Sequence, residues 1–269
     1  MSTAQRPLRR FIIAAFWLAA LSMPLATPGF ADNFETDGQI CNTGKVSPDD
    51  TISACTRRIE SGRLKENDLA LTYYNRANEW KAKGELDKAI ADYGEALRIA
   101  PIYSAALNNR GLTWYAKGDL DRAMADYSKA VEINPKFTYS LNNRGNVWLD
   151  KREYDRAIAD YSEAIKADPK YVYAYHNRGN AWRNKGDQDR AIADYNEAIN
   201  LDPKYVSAYN NRGLAWSNKG EVNRAVADFT QAIRIDPKYT YALYNRANAW
   251  LDQREVDLAL EATDALVGE

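Results

Sequence analysis

Residues 172–205 read VYAYHNRGNAWRNKGDQDRAIADYNEAINLDPKY. The same 34-residue unit, altered but recognisable, fills much of the chain on both sides of it. Asn177-Arg178 returns as Asn75-Arg76, Asn109-Arg110, Asn143-Arg144, Asn211-Arg212 and Asn245-Arg246. Four residues after each arginine stands a tryptophan: Trp80, Trp114, Trp148, Trp182, Trp216 and Trp250. Pro101, Pro135, Pro169, Pro203 and Pro237 keep the same interval. Self-similarity at such a period marks a stack of small units with no central core. That overrides the one or two globular domains that 269 residues would suggest.

Counting Val172 as position 1, each unit carries two apolar-periodic stretches, near positions 2–14 and 18–31. Each predicts a helix. Gly84, Gly118, Gly186 and Gly220 end the first helix, where a left-handed residue is least costly. Arg152 and Arg254 replace that glycine and are expected to strain their turns. Acids such as Asp119 and Asp121 open the second helix, favoured by capping and the helix dipole. The proline ends it, because it lacks an amide donor and disfavours helix in the residue before it.

Small residues fall at fixed places. Position 8 is Ala77, Gly111, Gly145, Gly179, Gly213 and Ala247; position 20 is alanine throughout. Position 27 is alanine in five copies, and position 24 is Tyr93, Tyr127, Tyr161, Tyr195 or Phe229. Over residues 70–269 this pattern resembles the tetratricopeptide repeat family. The resemblance implies an all-α fold, a right-handed superhelical solenoid of six tandem helix-turn-helix repeats. Their expected bounds are 70–103, 104–137, 138–171, 172–205, 206–239 and 240–269. The last copy departs from the pattern, with Thr263 and Leu266 at positions 24 and 27. Its closing helix is expected near residues 258–267.

The flanks differ in character. Arg6, Arg9 and Arg10 precede an apolar run from Phe11 to Leu21, and Gly29 and Ala31 then suit a cleavage site before Asp32. This order predicts a signal peptide over residues 1–31 and export to the periplasm or beyond. The run falls short of the roughly 20 apolar residues that span a bilayer, so no membrane segment is expected after cleavage. An uncleaved anchor and, through Arg9-Arg10, a twin-arginine route are the alternatives. Residues 32–69 read as an N-terminal cap: a loop carrying Cys41, one helix echoing a second repeat helix, and a turn over 61–68. In an oxidising compartment Cys41 and Cys55 most simply pair with each other. Closing a loop of that length would contribute about 3 kcal/mol. Without the three N-terminal arginines the chain holds 33 basic and 37 acidic residues, which offers no basic stripe for nucleic acid.

Two rows of polar residues need a reason. Position 7, commonly aliphatic in the family, is arginine in every copy, and position 23 is an acid in five. The expected arrangement is a structural ladder joining Arg110, Arg144, Arg178 and Arg212 to Asp126, Asp160, Asp194 and Asp228. Each guanidinium could also lie on the tryptophan four residues on. The competing reading is a line of arginines for an anionic ligand. If each arginine pairs within its repeat, Arg246 lacks an acid, because position 23 there is Ala262. If it pairs with the preceding repeat, Arg76 lacks one, because an approximate alignment puts Cys55 there.

The second row is amides. The resemblance implies that the first helices line a concave groove and that position 6 asparagines bind peptide there. The groove candidates are Asn75, Asn109, Asn143, Asn177, Asn211 and Asn245, with Asn78, Asn146, Asn180 and Asn248, and with Tyr139, Tyr173 and His176. An amide both donates and accepts, so it can hold a peptide backbone of any sequence. Alternatively, position 6 bonds the backbone of the neighbouring helix. On the groove reading, replacing Asn143, Asn177 and Asn211 by alanine should abolish capture and leave melting nearly unchanged. Positions 2, 5 and 6 hold no cation, so a clamp for a C-terminal carboxylate is not expected. No nucleophile motif, phosphate loop, cofactor site or metal-ligand cluster stands out. The expected function is a non-catalytic scaffold receiving an extended segment of a partner protein. The alternatives are a self-associating module, an accessory subunit of an envelope enzyme, or a glycan binder.

Overall fold

A computed structural model describes residues 33–251. The expected signal peptide and the expected helix near 258–267 lie outside them. Thirteen helices and no strands are present among the described residues. Two precede the repeats, α1 (Phe34–Thr43) and α2 (Pro48–Glu60). The repeats then supply α3 (Glu66–Ala82), α4 (Leu86–Ile99), α5 (Ser104–Ala116), α6 (Leu120–Ile133), α7 (Thr138–Asp150) and α8 (Tyr154–Ala167). They continue as α9 (Val172–Lys185), α10 (Gln188–Leu201), α11 (Val206–Asn218) and α12 (Val222–Ile235). A last helix, α13, begins at 240 and runs to the end of the described residues.

Local chemistry sets these bounds. Gly84, Gly118, Gly186 and Gly220 take positive φ at the turn after the first helix. Arg152 is held at φ 60°, a conformation that costs a side-chain-bearing residue on the order of 1 kcal/mol or more. Asp119 and Asp187 cap α6 and α10, accepting from the backbone amides of Arg122 and Arg190. Those bonds and the facing guanidinium hold both carboxyls below their ordinary pKa.

Each helix packs on the next, and the first helices of successive repeats also touch. Among the described residues, the backbones of successive second helices stay farther apart than those of successive first helices. The stack therefore curves, with first helices crowded on the hollow side and second helices splayed outside. Close approach depends on position 8. A Cβ added at Gly145 would lie 2.6 Å from the buried Tyr161 ring, and one at Gly179 would lie 2.7 Å from Tyr195. The core is thus a series of small clusters of alanines around one aromatic ring, such as Ala157, Tyr161 and Ala181.

The cap departs from the expected loop and single helix. Cys41 sits in a helix, α1, and α1 packs on α2 as a further helix pair. The turn is also shorter than expected, because α3 starts at Glu66. Cys41 and Cys55, both buried, form a disulfide. Thr56 accepts from Nη1 of Arg76 as Ser162 accepts from Nη1 of Arg178. That places Thr56 at position 25 and Cys55 at position 24, one place on from the approximate alignment. In the cap, a covalent bond thus stands where the repeats pack a ring against a small residue.

Candidate functional site: an amide and tyrosine strip on the hollow face

The position 6 asparagines do not bond the backbone of the neighbouring helix. They donate to side chains of the preceding repeat. Asn177 Nδ2 reaches Asn142 Oδ1 at 3.0 Å and Asn146 Oδ1 at 3.2 Å. Asn109 reaches Tyr74 and Asn78, Asn143 reaches Asn108, Asn245 reaches Asn210, and Asn75 reaches Asn42 of the cap. Within a repeat, the position 5 amides of Asn108 and Asn210 donate to the Oδ1 of Asn109 and Asn211.

Position 9 closes the lattice onto the core. The buried hydroxyls of Tyr93, Tyr161 and Tyr195 donate to Asn78, Asn146 and Asn180. Burial raises the pKa of all three phenols, so they stay neutral donors. In the fifth repeat Phe229 has no hydroxyl, and position 9 is Leu214. In the second repeat, by contrast, the buried Tyr127 keeps its hydroxyl although position 9 is Leu112, so ring hydroxyl and amide do not vary together. Asn248, the remaining position 9 amide, is partly buried in α13.

These bonds revise the expected outcome of replacing Asn143, Asn177 and Asn211. Their amides tie neighbouring repeats together, so the triple alanine variant should melt lower as well as lose any ligand contact.

His176 takes the place of an amide in this lattice. It is 8% exposed, with Nε2 accepting from Asn211 Nδ2 at 3.0 Å. Its Nδ1 lies 3.3 Å from Asn177 Oδ1 and 3.2 Å from the Tyr205 hydroxyl. Asn211 can only donate through that nitrogen, so the ring proton belongs on Nδ1. Burial lowers the imidazole pKa to about 4.

Beside the amides runs a ridge of rings. Phe137, Tyr139, Tyr171, Tyr173 and Tyr205 follow one another with centroids 5.5–5.9 Å apart, mostly edge to face. Tyr171 and Tyr205 are half-buried, and burial pushes each phenol to about 12. Tyr139 and Tyr173 are each 56% exposed. Ser207 interrupts the ridge, and Tyr239 and Tyr241 resume it. Rings and amides line common clefts: Phe137, Tyr139 and Tyr171 with Asn108 and Asn143, and Tyr239, Tyr241 and Tyr244 with Asn210 and Asn245.

The arginines face away from this strip and pair within their own repeats. Arg110, Arg144, Arg178 and Arg212 each clasp Asp126, Asp160, Asp194 and Asp228 through Nε and Nη2 at 2.6–2.8 Å. Arg76 does the same with Asp92. The hydrogen bonds to aspartate raise the pKa of Arg76, Arg144 and Arg178. Burial raises Asp194 despite its arginine. Arg246 donates to Thr230, and its buried Nε has no partner among the described residues. Stacking differs from expectation. Arg76, Arg178 and Arg212 lie over the tyrosine three residues earlier, and only Arg246 lies over its own tryptophan among the described residues. The other indoles are covered from the second helix, as Arg190 covers Trp182 at 3.7 Å. The second helix brings position 19 over that face, a partner the single-helix spacing does not reveal.

Charges gather instead on one rim, where Lys83, Lys117, Lys151, Lys185 and Lys219 bridge to Asp49, Asp87, Asp121, Asp155 and Asp189 of the preceding unit. No cluster of His, Cys, Asp and Glu suited to a metal, and no helix long and apolar enough to cross a membrane, occurs among the described residues.

Solved structures place this architecture among known proteins. YrrB, described as having an unusual peptide-binding site, is 23% identical with a TM-score of 0.57, covering 73% of this chain and 99% of its own. MamA is 27% identical with a TM-score of 0.56, covering 61% and 96%. A thermophilic TPR protein of Thermus thermophilus, TTC0263, is 18% identical with a TM-score of 0.57, covering 68% and 99%. No curated protein matched the chain. Tetratricopeptide repeat profiles match residues 70–103, 104–137 and 206–239, and a TPR repeat profile matches 145–186 and 179–220. Together these matches take in more than half of the sequence, and the chain belongs to the tetratricopeptide repeat family.

Proposed function

We propose that this protein is an exported scaffold that holds an extended segment of a partner protein along the hollow face of its solenoid. Tetratricopeptide folds typically serve as protein–protein interaction scaffolds and are generally non-catalytic. The observation that carries the finer reading is the strip itself. Amides and tyrosines follow one another from repeat to repeat, and positions 2, 5, 6 and 9 carry no charged side chain across residues 70–248 (His176 being neutral near pH 7). Regularly spaced donors, acceptors and ring faces suit a chain that stays extended over several repeats. Many of the amide hydrogens are engaged between repeats, so the open edges of the amides and the exposed phenols would make the contacts.

Export rests on the order of residues 1–31. Amino-terminal sequencing of the protein recovered from the cell envelope or medium should begin at Asp32. For the groove, a photoreactive residue is placed at Tyr173 on the hollow side or at Lys166 on the outer helix. Crosslinked partner is expected from position 173 and not from 166. Equal yields from both, or adducts from 166 alone, would exclude the groove.

A further inference from the structure

Resting on that reading of the hollow face, we infer that the ridge of rings selects a proline-rich, uncharged segment in the polyproline II conformation. Three observations point there. The first is spacing. Tyr139 and Tyr173 each sit 5.5 Å from Tyr171, on opposite sides of one step in the ridge. They occupy the same position on α7 and α9, which pack directly. The axes of packed helices lie about 8–10 Å apart, and two steps through Tyr171 allow the two rings at most about 11 Å. One turn of polyproline II advances about 9 Å in three residues. The two-residue repeat of a β-strand advances about 6.6 Å and falls out of step after one ring. Two residues three apart in a polyproline II segment can therefore meet Tyr139 and Tyr173 in turn.

The second is polarity. A proline-rich segment carries carbonyl acceptors and few N–H donors. It suits phenol hydroxyls, which donate, better than it suits a surface of acceptors. Tyr139 and Tyr173 are exposed over more than half of their surface, so ring faces and hydroxyls are both presented. The third is charge. Positions 2, 5, 6 and 9 beside the rings carry no charged side chain, and the arginines of position 7 pair between helices. The rings and amides themselves thus offer a charged segment no counter-ion, and an uncharged segment leaves no charge unpaired on them. Aromatic rows of this kind recognise the pre-extended, low-entropy polyproline helix.

The test measures binding of three labelled peptides of equal length to the protein as the cell processes it: an oligoproline, a glycine-serine peptide and an acidic peptide. The oligoproline should bind most tightly. The double variant Tyr139→Ala with Tyr173→Ala should weaken it roughly tenfold or more, with circular dichroism unchanged because both rings are exposed. Tyr139→Phe with Tyr173→Phe should retain part of the binding, since the ring faces remain. Equal affinity for oligoproline and glycine-serine, or an undiminished alanine double variant, overturns the inference. Should crosslinks still form from position 173 while oligoproline fails to bind, the groove reading stands and this one falls. Failure of both removes both.

Discussion

His176 ties the stability of the protein to pH. Unfolded, the imidazole takes up its proton near pH 6.5; folded, it does so only near 4, because burial among Asn177, Tyr205 and Asn211 penalises the charge. Between those values the unfolded chain binds more protons than the folded one. Stability is therefore complete above about pH 6.5 and is lost as the pH falls towards 4, by on the order of 3 kcal/mol. His176→Asn restores the residue that Asn108, Asn142 and Asn210 supply elsewhere. Thermal melts from pH 7 to 4 should show the variant losing distinctly less stability than the parent; parallel curves would refute the assignment. Arg178 gives a second case. Removing it leaves Asp194, 6% exposed, without its two hydrogen bonds. Arg178→Ala should cost about 3 kcal/mol in urea denaturation, near the lower end expected for breaking a buried pair. Arg178→Met with Asp194→Leu should recover most of it, since the penalty is an unpaired charge rather than a missing contact.

Between helices, a small residue packed against a ring is the recurring joint. Gly145 against Tyr161 and Gly179 against Tyr195 leave no room for a methyl group without movement of a buried ring. The cap replaces that joint with the Cys41–Cys55 bond. Among the described residues, helices α1 and α2 have one neighbouring pair to lean on, whereas an interior pair has two, so there the crosslink supplements the sparser packing. Reduction should loosen the cap by about 3 kcal/mol. Hydrogen exchange would show this as faster exchange in residues 34–60, with α7 to α10 little changed. Uniform acceleration along the chain would mean that the cap and the central repeats unfold as one unit.

Across the whole molecule, stability is a sum over neighbours. Excising residues 138–171 removes one complete period and brings Asn177 beside Asn108, the same partner type it has in Asn142. The shortened chain should fold, keep a cooperative melt at lower temperature, and keep its helicity per residue. A deletion of half a period should fail, because first helices would then meet second helices out of register. The same length dependence bears on binding, since a partner lying along the hollow face would lose one repeat's worth of contact.

Much of this was written in the chain. The 34-residue interval, the turn glycines, the alanines and the closing prolines are local signals. A solenoid contains little beyond local units and their nearest neighbours, so those signals dictate helix pairs, their stacking and the pairing of two isolated cysteines. What the sequence left open was which of two neighbours a polar side chain would choose. The arginines at position 7 had acids within reach on either side, and only the packing of α9 on α10 decided for the repeat's own aspartate. The position 6 amides had backbone, ligand or neighbouring side chains as partners, and only the approach of successive first helices brought Asn142 and Asn146 to Asn177. Hydrogen bonds depend on distances of a few tenths of an ångström, and periodicity does not specify distances that finely. The tyrosine ridge is likewise a product of stacking: rings from two sequence positions in adjacent repeats become one surface when first helices crowd together on the hollow side.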